Sequence, residues 1–391
     1  MSFAAYGRVL REPGVAWLLF ISLFARLPHA ASGLIFSLHV VSTLEMDFLR
    51  AGLATTVLTV GIAVGAPWRG RVVDRKGLRR AIVPSIAVAA AGWCAVPYVS
   101  YGWLLPLCFV VGVYAVPAFA VVRQALAVLT APEDRQTAYA LDSIATEFTF
   151  IAGPIAGAYL VTAHSSALAL LSVGIATVVS GALIMWLNPP TRAAQRLGSV
   201  HEAGAPAAPR QPLFTASVVA VLGATVAATF TLSGMELGIV AALKQWGAVG
   251  FTGVVFAVWS LGSAAGGLVY GAMRRSAHPL WVVLGLSLVT APIALATGVT
   301  SLGALSFVAG LMCAPAIATV NGSLSKIVPE GRLGEALGWN GTALTLGGAL
   351  GAPLCGVMID SFGPPGGFLT AAVLGFVVAA AGLAVYRRRP G

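Results

Sequence analysis

Charge is what this chain of 391 residues has least of: 23 basic and 13 acidic side chains make up 9% of it, against roughly 25% in an ordinary soluble domain. So low a share excludes a water-soluble globular protein. Lysine is scarcer still. Only Lys76, Lys244 and Lys326 occur and none follows a glycine, so the Gly-Lys pair of a phosphate-cradling P-loop is absent and ATP hydrolysis by that route is excluded. The four cysteines, Cys94, Cys108, Cys313 and Cys355, each lie in a different apolar run without paired spacing. Neither a disulfide framework nor a metal site is suggested, and small core side chains are expected. No extramembrane stretch exceeds about 25 residues, too few for a soluble catalytic or signalling domain. An enzyme is therefore not expected, nor a cofactor.

Apolar residues are what the chain has, 58% of it, in runs of about 20 separated by short charged or Pro/Gly segments, as bilayer-spanning helices require. Twelve spans are expected: 15–40, 51–68, 80–98, 103–128, 138–162, 166–187, 214–241, 250–272, 279–297, 301–325, 335–358 and 366–386. The fold class is an all-α membrane protein. The first run is too long for a signal peptide, and eleven more follow it, so it is expected to be retained as a helix. With the N-terminus cytoplasmic, the inside segments hold nineteen Lys and Arg, including Arg8, Arg69, Arg71, Arg192 and Arg387, while the outside loops hold only Arg50 and Lys244. That bias places both termini inside. It also accounts for most of the net charge of +10, so no nucleic-acid partner is needed.

The longest polar interruption, rich in Pro, Ala and Arg, reads as a flexible linker at 188–213 between six-helix bundles at 1–187 and 214–391. A shift of 197–198 residues brings the two into register. Val111 to Ala118 falls on Ala309 to Ala316, and Pro132-Glu133-Asp134-Arg135 falls on Pro329-Glu330-Gly331-Arg332. Parallel repeats of this kind place a substrate site near the bilayer midplane between halves that rock. The copies differ where charge is concerned, since Arg123 meets Asn321 and Asp74 meets Gly271.

The segment Gly70-Arg71-Val72-Val73-Asp74-Arg75-Lys76-Gly77-Leu78-Arg79-Arg80 has a mechanical reading. Gly70 allows close helix approach, Gly77 a tight turn, and Asp74 can satisfy free N–H groups at a neighbouring helix start while pairing with a nearby Arg. The same segment resembles the signature of the major facilitator superfamily, and the resemblance extends over essentially the whole chain. It implies a cytoplasmic gate that includes Gly70, Asp74, Arg75, Gly77, Arg79 and Arg80; the competing reading is a solvated basic loop that only sets topology. Gly153-Pro154-Ile155-Ala156-Gly157 is similar to that superfamily's antiporter signature, although Thr149 and Ala158 stand where glycines are expected. Generic packing of small residues is the alternative there. Arg123 resembles the superfamily's membrane arginine linked to proton coupling, without the glycine expected after it.

Ionisable groups inside spans are costly, so each is a functional candidate. Arg26, His29, Gly33 and Ser37 form a polar stripe on the first span. Arg26 either holds an anionic substrate group, neutralises a coupling carboxylate or makes a structural pair. His29 is either a proton carrier or a neutral, satisfied ring. Asp142 and Glu147, both proton-coupling candidates, are five residues apart and lie roughly 140° around their helix from each other, so they cannot serve one partner. Asp142 is near enough to the cytoplasmic end to belong to the gate network, and Glu147 is the first choice of proton carrier, gaining and losing contact with Arg26 or Arg123. A permanent Glu147 to Arg salt bridge is the alternative. Thr225, Thr229, Ser233 and Glu236 form a hydroxyl-rich stripe expected to face the cavity, with Glu236 the second proton candidate. Glu335 sits in a first helical turn, where it caps or gates, and Asn321 and Asn340 are candidate substrate contacts.

These readings converge on a bacterial inner-membrane secondary transporter that exports a small organic molecule in exchange for protons. A proton symporter or facilitator importing a nutrient or organic anion is the alternative. One proton falling through about 150 mV supplies roughly 3.5 kcal/mol, so the proton gradient suffices as energy source. The expected partners are the substrate, protons and the lipid bilayer, with the chain acting as a monomer.

Overall fold

In hydrocarbon every backbone N–H and C=O must be satisfied within the protein, which leaves helices as the simplest way for an apolar run to cross. The computed structural model describes residues 4–46, 48–191, 212–273 and 277–387, all of it helix and short connections with no strand among the described residues. The helices are α1 (Ala4–Arg11), α2 (Val15–Ser42), α3 (Phe48–Lys76), α4 (Leu78–Ala95), α5 (Tyr101–Val113), α6 (Ala118–Leu129), α7 (Arg135–Ala163), α8 (Ser166–Leu187), α9 (Ala216–Gln245), α10 (Thr252–Gly271), α11 (Pro279–Thr290), α12 (Val299–Gly310), α13 (Cys313–Ile327), α14 (Leu333–Phe362) and α15 (Pro364–Arg387). Most of the linker at 188–213 lies outside the described residues, as do Arg192, Arg196, Arg210, Arg274, Arg275, Arg388 and Arg389.

Among the described residues eleven helical segments are long and apolar enough to cross a membrane. The run expected at 279–297 is shorter, because α11 gives way to a 3-10 turn at Ala291–Leu295 that contains Pro292. By helical rise it measures roughly 28 Å, just under the hydrocarbon thickness of about 30 Å.

Three further expectations change in detail. The basic loop between the second and third runs shrinks to Gly77 alone, at φ 84, a conformation open to glycine; Arg71, Arg75 and Lys76 therefore end α3, while Arg79 and Arg80 begin α4. The fourth and tenth runs are each interrupted: α5 stops before Tyr114 to Pro117, and α12 stops before Leu311 and Met312. Pro117 has no N–H to continue the ladder. Finally, Cys108, Cys313 and Cys355 are buried as expected, but Cys94 is exposed.

The helices up to Leu187 pack mainly among themselves, with α2 on α7 and α8, α3 on α5, and α4 on α8; those from Ala216 do the same, with α9 on α14 and α15, α10 on α12, and α11 on α15. The two sets meet along α3 with α14 and α7 with α10 and α13. One apolar core draws on both sets, from Val9, Leu18, Leu126 and Tyr139 to Val221, Tyr270, Leu324 and Leu337. Other cores belong to one set alone, such as Ile35, Phe36, Leu104 and Leu170 in the first and Met235, Ile239, Leu286 and Phe368 in the second. The contacts between sets use the last turns of α3 and α10 and the first turns of α14 and α7, so the molecule is pinched at the end carrying the basic helix ends. Exposed Trp17, Trp103 and Trp186 and many exposed aliphatic side chains cover the outside, as a lipid-facing surface would be covered.

Between the two sets the tightest crossing is at Gly70, where a side chain would run into the Gly334 carbonyl of α14. One turn or so away, a Cβ on Gly341 would stand 3.8 Å from that of Ala66, close to the usual disulfide value of about 3.8 Å. In a chain otherwise free of cysteine, Ala66→Cys with Gly341→Cys should crosslink readily. Gly70→Val, overpacking the seam by about 1–3 kcal/mol, should reduce the yield several-fold. Unchanged crosslinking would show that the seam closes without this contact.

Candidate functional site

The pinched end is tied by a carboxylate. Asp74, buried in the last turns of α3, accepts the backbone N–H groups of Gly334 (3.0 Å) and Glu335 (2.7 Å) at the start of α14, and the Gln124 side chain of α6 (2.7 Å). A helix start carries free N–H donors and positive potential, so an anion from the other set is the natural partner. Glu335 in turn receives Arg71 Nη2 at 2.7 Å and Arg332 Nη2 at 3.0 Å. Arg71, Asp74, Arg75, Gly331, Arg332 and Glu335 line a cavity of about 230 Å³. Arg79 and Arg80, in the first turn of α4, are exposed and not part of its lining.

The matching seam is neutral. Gln136 and Thr137 of α7 donate to the carbonyls of Tyr270 and Gly271, both at 2.5 Å, at the end of α10. Helix α1 spans the two sets here: the Tyr6 hydroxyl donates to the Leu268 carbonyl at 2.5 Å and Arg8 holds Asp134 at 2.7 Å. Burial pushes the Tyr6 phenol up to about 12, so it remains a donor throughout the physiological range.

Deeper in the first set three charges share one knot. Asp142 of α7 forms an ion pair with Arg26 Nη2 of α2 at 2.7 Å and accepts Arg123 Nε of α6 at 3.1 Å, all three buried. Arg26 Nη1 also donates to Thr146 at 2.8 Å. The Phe119 ring lies 4.6 Å from the Arg26 guanidinium carbon and 5.7 Å from that of Arg123, a cation–π arrangement that spreads the surplus positive charge. The second set repeats the geometry without charge: Thr225 of α9 donates to Asn340 of α14 at 2.7 Å, and Asn340 donates to Asn321 of α13 at 3.2 Å. Arg26, Asp142 and Arg123 thus correspond to Thr225, Asn340 and Asn321.

Glu147 stands apart from the arginines. Its Oε1 accepts the Ser263 hydroxyl of α10 at 3.0 Å, across the seam between the sets, and Glu236 of α9 lies within electrostatic reach of it. Glu236 is exposed to the open space. Trp259 and Cys313, joined at 3.1 Å, complete the surroundings, since Cys313 feels both carboxylates. Among the described residues no cluster of His, Cys, Asp and Glu could hold a metal ion.

A family model for the Major Facilitator Superfamily matches residues 18–246 and 219–391. The chain belongs to the major facilitator superfamily. It is a multi-pass membrane transporter for a small-molecule substrate, as the family implies. Solved structures of similar fold include the human organic anion transporter MFSD10, 16% identical with a TM-score of 0.72 over 95% of this chain and 99% of that one. A bacterial homologue of the iron transporter ferroportin in an outward-facing state is 15% identical, TM-score 0.70, over 95% and 99%. The Escherichia coli fucose:proton symporter is 17% identical, TM-score 0.64, over 97% and 100%. No curated protein matches the sequence.

Several side chains of this facilitator lie elsewhere than the sequence suggests. The arginines expected near Glu147 both go to Asp142, which sits one turn or so earlier on the face turned toward α2 and α6. Asp142 therefore belongs to that knot and not to the gate network. Asn321 and Asn340 are buried and satisfied by each other, so they are not open to a cavity. In the hydroxyl stripe Thr225 bonds Asn340, and Thr229 and Ser233 pack along α14 against Gly347, Gly348 and Gly351, because small residues on both helices allow close approach; Glu236 emerges from it, exposed. Gly33 and Ser37 meet Thr55 of α3, the Ser37 hydroxyl at 3.4 Å from that of Thr55, while His29 is exposed with its ring 5.5 Å from Phe119. Gly153 and Gly157 press α7 onto Ala30, Ala31 and Ile35 of α2, and α7 runs unbroken through Pro154.

Sequence reasoning missed Ser263, Gln124 and Arg69. Arg69 was assigned to a loop, but α3 continues two turns past the apolar run and buries it. Its position just before Gly70 on that extended helix was the available signal.

The knot makes a sharp prediction. Asp142→Asn leaves two buried guanidinium charges without a counter-charge and should cost about 3–5 kcal/mol, seen as loss of monodisperse protein on size-exclusion in detergent. Adding Arg26→Thr and Arg123→Asn, which copies the neutral set, should restore monodisperse protein. A single variant as well behaved as the parent would mean that the three charges are not mutually dependent.

Proposed function

We propose that this facilitator is a proton-coupled antiporter that exports a small organic molecule from a bacterial cell by alternating access. In this reading the chain is a monomer of twelve spans with both termini cytoplasmic, α11 and its 3-10 turn forming the short ninth span. The halves 1–187 and 214–391 rock about the linker 188–213. The energy source is the proton gradient, without a cofactor.

The observation that carries the reading is Glu147, bonded to Ser263 across the moving seam with Glu236 in electrostatic reach, while Arg26 and Arg123 are engaged by Asp142. Carboxylates within electrostatic reach of each other repel, and a proton on one of them relieves the repulsion. The pinched end carries the basic helix ends, so with that end cytoplasmic the carboxylates face outward, where they load. As α3 separates from α14 and α7 from α10, the Ser263 bond breaks and the proton leaves toward the cytoplasm. Asp74 and its two N–H partners act as the latch of the cytoplasmic gate, with Arg71, Glu335 and Arg332 as its flank. Export rests on the likeness of Gly153, Pro154 and Gly157 to the antiporter signature.

Import of an organic anion by proton symport is the second reading, favoured by the excess of buried arginine over carboxylate in the first half.

Proteoliposomes with an inward-directed proton gradient and a panel of lipophilic cations, anions and neutral drugs separate these. Antiport predicts that substrate drives proton movement in the opposite direction, and that Glu147→Gln abolishes the exchange. If Glu147→Gln couples normally, Glu236 is the carrier; if substrate and proton move together, the import reading replaces export.

A further inference from the structure

We infer that Arg69 is the anchor for an anionic group, a carboxylate, on the transported solute, bound beside His29 where the fourth membrane run unwinds. The inference rests on the transport reading above. It concerns what is recognised and not how transport is driven.

Arg69 is 3% exposed. Its Nε donates to the Gly65 carbonyl at 3.3 Å and its Nη2 reaches the Ile62 carbonyl at 3.5 Å, while Nη1 has no hydrogen-bond partner. The ion pairs among the described residues join Arg8, Arg26, Arg71, Arg123 and Arg332 to carboxylates, and Arg69 is in none of them. A basic side chain near the end of a span ordinarily lowers its cost by reaching outward to water. Arg69 reaches the other way, back along α3 by one and two turns, while Arg75 and Lys76 stay exposed at the helix end. Backbone carbonyls partner such a cation without neutralising it, so its position beside a cavity or pathway is a site where a mobile anion can supply the counter-charge.

The surroundings fit a bound anion. His29 of α2 lies within electrostatic reach of Arg69 and is exposed, so it can donate to the same ligand. The break at Tyr114 to Pro117 is adjacent: Gly65 packs on the Val113 carbonyl and Trp68 stacks edge-on to Tyr114 at 5.4 Å. Beyond the break α6 begins, with Phe119 against His29, and the start of a helix adds positive potential and free N–H donors. Arg26 and Arg123, the arginines first suspected of holding substrate, already share Asp142. Arg69 has an unbonded buried donor and, unlike Arg26 and Arg123, no carboxylate paired with it among the described residues. Unwound segments in a transporter are tolerated where they line a binding cavity, and this break has its cation in place.

The test is equilibrium binding to the purified full chain in neutral detergent with phosphatidylcholine, at one pH and with no gradient, so that failure of proton coupling and failure of this assignment are read separately. Benzoate and hexanoate are compared with benzamide, hexanamide, benzylamine and hexylamine, by quenching of tryptophan fluorescence, for which Trp68 is a neighbouring reporter, and by thermal midpoint. At least one carboxylate should bind tenfold or more tightly than its amide and amine. Arg69→Gln should erase that preference and Arg69→Lys should keep part of it. If Arg69→Gln does not fold, the comparison in the parent and the retained preference in Arg69→Lys still decide. Equal binding of carboxylates and amides, preference for the amines, or a preference that survives Arg69→Gln would overturn the assignment. Displacement of the carboxylate by phosphatidylglycerol at trace levels would also overturn it, since the occupant would then be a lipid headgroup.

Discussion

Within hydrocarbon a charge survives only when something answers it, and the order of this chain follows from how few answers it has. Asp142 answers two arginines at once, which fixes α2, α6 and α7 at one point and sets the Phe119 ring against both guanidinium groups. Asp74 takes the free N–H groups at the start of α14, with the Gln124 amide beside them, and thereby joins the two sets of helices. Each carboxylate does what a whole layer of salt bridges would do in water, because the alternative to pairing here costs several kcal/mol.

The two sets show the same geometry run with and without charge. Thr225, Asn340 and Asn321 hold α9, α14 and α13 by neutral hydrogen bonds where Arg26, Asp142 and Arg123 use ions. The seams differ likewise, with Asp74 on one and the hydroxyl and amide of Thr137 and Gln136 on the other. A neutral network is cheap to bury and cheap to leave; a charged one is neither. The first half is thus the more strongly braced body, and the carboxylate that ties the charged seam, Asp74, also comes from that half.

Much of this was legible. Apolar runs reveal spans because the bilayer demands about 20 residues of them, and the Gly70 to Arg80 spacing foretold a carboxylate at a neighbouring helix start because few other uses exist for Asp in such a place. The pairing of Arg26 and Arg123 was not legible. Asp142 and Glu147 are both within reach of an arginine by sequence distance, and only the rotation of α7 against α2 decides between them. The hydroxyl stripe misled for a related reason: Thr and Ser at helical spacing suit a wet cavity and a tight helix seam alike, and the glycines of α14 that settle the matter are over a hundred residues away. Arg69 escaped because a basic residue beside a glycine near a run's end looks like a loop until the helix is seen to continue.

In the proposed cycle a single helix carries both kinds of carboxylate. Asp142 is clamped within its own half, so it moves with α2 and α6 as one body. Glu147, little more than a turn further along α7, is held only by a hydroxyl of the opposite half, so any rocking of the halves alters its surroundings while leaving those of Asp142 intact. The braced carboxylate keeps α7 rigid enough for that small displacement to be felt at Glu147. Recognition at Arg69 lies on α3, the other helix that crosses the seam, one residue from the Gly70 contact with α14. Proton and solute would then each be bound on a helix whose partner across the seam must separate for the gate to open, which is the placement coupling between them requires.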